Sequence, residues 1–76
     1  MQQKIRFRDL QGEEHIACEG DCRTGEIIYE PSKRHMFRTF LPINQAATIR
    51  KRVKQQDVII IIRWDGKAFT ATCKAA

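Results

Sequence analysis

The sequence predicts a small α+β domain, one unit over residues 1–76, and three stretches carry that expectation. "KIRFRDL" (Lys4 to Leu10) alternates apolar and charged residues with the period of a strand. "PINQAATIRKRVKQQ" (Pro42 to Gln56) places Ala46, Ile49 and Val53 at i, i+3 and i+7, the spacing of a helical stripe. "VIIIIRWDGKAFTATC" (Val58 to Cys73) sets an Asp-Gly pair between two strand-like runs, which is the strongest short hairpin signal. The expected order is ββββαββ. The expected architecture is a mainly antiparallel sheet, or a partly open barrel, of five to six strands with one short helix.

In the first strand Ile5 and Phe7 face one way, and Lys4, Arg6 and Arg8 the other. "QGEE" turns the chain, because Gly12 is free to take positive φ. A second strand is expected roughly over His15 to Cys18, then a polar loop, "EGDCRTG". "EIIYE" and "HMFRTFL" read as the third and fourth strands, a hairpin joined by a type I turn at "EPSK". For the helix, Asn44 is the expected N-cap, and Arg50, Lys51, Arg52 and Lys54 crowd the C-terminal half, where cations favour the dipole. A helix of about 12 residues needs packing to persist.

A two-residue turn at Asp65-Gly66 would pair Trp64 with Lys67, Ile62 with Phe69, Ile60 with Ala71 and Val58 with Cys73. That face is the expected core, under the helix. The opposite face is also apolar through Ile59 and Ile61, more than a sheet with one solvated face requires. The sheet therefore either curls into a barrel or offers Ile59 and Ile61 to another chain as a homodimer interface.

Charge is strongly polarised along the chain. Residues 1–30 hold four cations and seven acids, a net −3; residues 31–76 hold ten cations and two acids, a net +8. Between Pro31 and Gln56 seven cations occur without one acid. Such a basic protein suits a polyanionic partner. The expected nucleic-acid-binding residues are Lys33, Arg34 and Arg38 of the hairpin with Arg50, Lys51, Arg52 and Lys54 of the helix, as one positive surface, with Tyr29, Phe37 and Phe40 interleaved.

Other chemistries find less support. His15, Cys18 and Cys22 stand at H-x2-C-x3-C spacing, and His35 and Cys73 complete an inventory of four ligands, but the spacing matches no common zinc pattern. The same cysteines and histidines supply a nucleophile–base pair only if the fold joins them. There is no Gly-rich phosphate loop, GxSxG or HExxH. No catalytic residue, metal or cofactor is expected, and no enzyme. With neither a secretory h-region nor an apolar run of membrane length, the expected setting is cytoplasmic, with reduced thiols and no membrane partner. The expected function is a non-catalytic nucleic-acid-binding accessory protein, for DNA or RNA. The alternative is a homo-oligomeric protein–protein interaction or assembly module using the apolar face of strand 58–64.

Overall fold

The computed structural model describes residues 2–32 and 34–76, without the side chains of residues 31 and 32. Its fold is all-β. Seven strands, β1 (Gln2–Arg8), β2 (Glu14–Asp21), β3 (Glu26–Ser32), β4 (His35–Phe40), β5 (Ala47–Val53), β6 (Gln56–Trp64) and β7 (Phe69–Ala75), form two antiparallel sheets. The four-stranded sheet runs β1-β2-β3-β4 and the three-stranded sheet runs β5-β6-β7. Each is a meander in which every strand pairs with its sequence neighbour. β1 packs against β7, so the layers meet along that side, while β4 and β5 form the remaining edges.

The expected α+β class, the ββββαββ order and the strand number of five to six are therefore corrected. No helix occurs among the described residues. The segment expected to be helical is β5, paired with β6 in an unbroken register from Ala47↔Ile62 to Val53↔Gln56. The cause lies in the spacing. Ile49 and Val53 are four apart, a step that returns to the same side of both a helix and a strand. Only Ala46 argued for helix alone, and it is exposed. Thr48, Ile49 and Val53 are β-branched and favour the pleat. Asn44 caps nothing: it lies at φ 62° in the link between the sheets, where its N–H donates to the Trp64 carbonyl at 2.8 Å.

The core lies between the sheets. β1 to β3 contribute Ile5, Phe7, Ala17, Cys18 and Ile27; β5 and β6 contribute Ile49, Val53, Val58, Ile60, Ile62 and Trp64, and Leu41 closes one end. Ile5 and Phe7 point inward as the alternation predicts, and Gly12 takes φ 86° at the β1–β2 turn. A bulge between Ile5 and Arg6 leaves Ala17 as the extra residue, so that Ala17 and Cys18 are both buried. β3 continues through Pro31 to Ser32, beyond the turn expected at "EPSK", of which Lys33 falls outside the described residues.

The Asp-Gly hairpin forms with a longer loop. Trp64 pairs with Phe69, Ile62 with Ala71, Ile60 with Cys73 and Val58 with Ala75. Asp65 Oδ1 accepts the N–H groups of Lys67 and Ala68 at 2.8 and 2.9 Å, while Gly66 takes φ 97°. Asp65 thus spans a four-residue loop with its own side chain instead of opening a two-residue turn. The register moves by two, an even number, so every side chain keeps its expected face.

Candidate nucleic-acid interface

Strand alternation sorts the charges onto two outer faces. On the four-stranded sheet the registers carry Lys4 beside Glu19, Arg8 beside Glu14, and Ile28 between Glu19 and Arg38, with Asp21 and Glu26 in the next row. Arg6 pairs with Glu14 at 3.5 Å and Arg38 with Glu26 at 3.6 Å. Acids and cations there are interspersed, and their fields largely cancel.

The outer face of the three-stranded sheet is different. Its rows, read β5 to β7, are Arg52–Asp57, Arg50–Ile59–Lys74, Thr48–Ile61–Thr72 and, on β6 and β7 alone, Arg63–Thr70. Arg50, Arg52, Arg63 and Lys74 are exposed, and Asp57 is the lone acid of these rows. Ile59 and Ile61 sit half-buried at the centre. Arg50 and Lys74 make no ion pair among the described residues. Arg52 meets Asp57 at 3.8 Å with both side chains 69% exposed, a pair too solvated to hold the guanidinium firmly. Arg63 donates to the Asn44 carbonyl at 3.2 Å. Arg50 and Arg52 also wall a groove of about 340 Å³ completed by Lys51, Asp57, Val58 and Ala76.

The residues expected to bind nucleic acid are thus divided. Arg50 and Arg52 share this face. Lys51, the next residue, takes an inward position and reaches across the open side of the layers, where its Nζ donates to the Ile16 carbonyl of β2 at 3.0 Å. Lys54, in the β5–β6 turn, is ion-paired to Glu13 and lies 3.7 Å from Asp9. That bond raises the Lys54 pKa, chiefly through Glu13. Arg38 is on the other sheet, Arg34 is beside β4, and Lys33 falls outside the described residues. Arg63 and Lys74, absent from the expected set, join the face because β6 and β7 flank β5. The alternation of "IIIIRW" and "FTATCKA" held that information once β5 was read as a strand.

Phe37 stacks on Tyr29 with ring centroids 5.7 Å apart, while Met36 and Phe40 are exposed on the β4 edge, remote in strand order from the cationic rows.

The histidines and cysteines do not gather into one site among the described residues. Cys18 and Cys73 lie on inward faces of opposite sheets, Cys22 is in the β2–β3 turn, and all three thiols are free. Burial pushes the Cys18 thiol up to about 11, and burial also raises Cys73, so neither offers a ready thiolate at neutral pH. Among the described residues, the three potential ligands whose donor atoms gather within 4.8 Å are Asp9, Glu13 and His15, and the Lys54 ammonium already bridges both carboxylates there. No described helix is long and apolar enough to cross a membrane.

No protein-family model, curated protein or solved structure matches the chain.

Proposed function

We propose that the chain is a non-catalytic nucleic-acid-binding accessory protein acting through the outer face of β5-β6-β7, in a reducing, cytoplasmic setting. One observation carries the reading: Arg50, Arg52, Arg63 and Lys74 share a face with the single acid Asp57, whereas Glu14, Glu19, Asp21 and Glu26 lie on the opposite sheet among cations. A solvated surface with no polyanionic partner has no need of such separation. A phosphate backbone placed on these rows releases condensed counterions, contributing a slope of about −0.7 to −0.9 per phosphate on a log–log salt plot.

The test is retention of labelled DNA and RNA at two salt concentrations. The wild type is expected to bind at low salt and to weaken steeply as salt rises. Changing Arg50, Arg52 and Lys74 to Gln is expected to flatten the slope by about 2.1 to 2.7 without lowering Tm, because all three side chains are exposed. Failure to retain any nucleic acid at low salt would end the proposal.

A second reading rests on Ile59 and Ile61. They are half-buried on a face that no other layer covers, which suits a homo-oligomeric assembly module. Light scattering separates the two: the assembly reading requires a stable dimer without nucleic acid, lost when both isoleucines become Thr.

A further inference from the structure

We infer that the ligand of this face is a single strand, with unpaired bases lying on Ile59 and Ile61 and its phosphates on the surrounding cations; the inference rests on the nucleic-acid reading above. Ile59 and Ile61 are flanked in register by Arg50 and Lys74 on one row and by Thr48 and Thr72 on the next. The arrangement is an apolar centre, hydroxyls beside one isoleucine and cations beside the other. A phosphate backbone alone satisfies only the cations. It would leave two half-exposed isoleucines against a hydrated, charged surface and gain nothing from them.

Base faces are the apolar part of a nucleic acid. In an undistorted duplex they are stacked inside the helix, away from a protein sheet, whereas splayed bases can lie against side chains. Spacing decides in the same direction. Residues two apart on a strand stand about 7 Å from each other. Stacked bases are separated by about 3.4 Å along each strand, half of that. Two neighbouring bases can each cover one isoleucine only if the strand is extended and unstacked. The Thr48 and Thr72 hydroxyls, on either side of Ile61, then stand where the edge of a base would lie, each able to donate or accept.

The experiment compares an oligothymidylate of about 12 nucleotides with a blunt duplex of the same length, by fluorescence anisotropy, for three proteins. The wild type is expected to prefer the single strand. Ile59→Thr/Ile61→Thr keeps β-branched residues at both positions. It is expected to weaken oligothymidylate binding roughly tenfold, the equivalent of about 55 Å² of apolar contact, with an unchanged salt slope. Arg50→Gln/Lys74→Gln is expected to do the reverse in kind, flattening the slope by about 1.4. Equal affinity for the duplex, or an isoleucine variant that binds like wild type, would overturn the single-strand assignment while leaving nucleic-acid binding intact. Absence of binding by the wild type to both probes would remove the inference together with its parent reading. A wild-type dimer that the isoleucine variant converts to monomer, with unchanged oligothymidylate affinity, would give the face to a second copy of the chain and overturn the inference.

Discussion

Asp9 is almost wholly buried although it is a carboxylate, and every contact it makes explains why. Its Oδ1 accepts the N–H groups of Gln11 and Glu13, both at 2.9 Å, which fastens the β1–β2 turn. Its Oδ2 accepts from His15 Nε2 at 2.7 Å and faces Lys54 of the other sheet. The hydrogen bond from His15 is the largest influence holding the Asp9 pKa near 2, against burial, which acts to raise it. A carboxylate depressed from 3.8 in the folded state contributes stability that is complete above that value and lost as pH falls toward 2. Asp9→Asn is therefore expected to lower Tm at pH 7, and thermal melts from pH 7 to pH 2 should show the gap between variant and wild type closing at the acid end. A gap that stays constant through that range would show that Asp9 acts by packing alone.

At the scale of the element, β5 and its turn carry the main departure from expectation. Lys54 and Gln55 take φ 51° and 65°, so two side-chain-bearing residues occupy the left-handed positions of a two-residue hairpin turn. Each such residue costs about 1 kcal/mol relative to glycine. Lys54 is compensated by Glu13 and Asp9, but Gln55 has no comparable partner among the described residues; its carbonyl accepts a long 3.4 Å contact from Arg52. Gln55→Gly is expected to stabilise the domain by about 0.5 kcal/mol after glycine's greater chain entropy is subtracted. That corresponds to a rise of about 2–4 °C in Tm for a chain of this size. A fall in Tm would mean that the Gln55 side chain contributes more than its backbone conformation costs.

Over the whole molecule, the two sheets are joined by few crossings, and Gly25 lies beneath one of them. It takes φ 78° in the β2–β3 turn, and a Cβ there would stand 2.5 Å from Trp64 of β6. The Trp64 indole N–H donates to the Cys22 carbonyl at 3.2 Å, and the Leu41 N–H donates to the Gly25 carbonyl at 2.8 Å. The same turn therefore seats the tryptophan and receives the chain as it leaves β4. Gly25→Ala combines a left-handed backbone with overpacking against a ring and is expected to cost about 3 kcal/mol. Small domains have little margin, so urea unfolding should show a sharply lower midpoint. A midpoint within error of wild type would place the β2–β3 turn outside the stabilising core.

Local chemistry settled much of this protein. The "KIRFR" alternation set the inward residues of β1, Gly12 set its turn, and the even spacing of Val58, Ile60, Ile62 and Trp64 set the core face of β6. Charge segregation was visible as a difference between residues 1–30 and 31–76, but the boundary between the sheets falls later: β4, with Arg38, joins the four-stranded sheet, and the cationic face is built by β5 to β7 alone. The nature of β5 was not open to the same reading, since a four-residue step satisfies both periods. The choice fell to β6, whose backbone groups pair along the whole of β5, and to the core, which takes Ile49 and Val53 and leaves Ala46 outside. That choice in turn sent Arg50 and Arg52 outward while Lys51 reached across to Ile16, and it brought Arg63 and Lys74 alongside. Lys54 met Asp9 and Glu13 for the same reason: contacts between residues 45 and 41 positions apart arise only when two sheets close on one core, and no local pattern encodes them, whereas Asp9 and His15, six apart, meet within the β1–β2 hairpin.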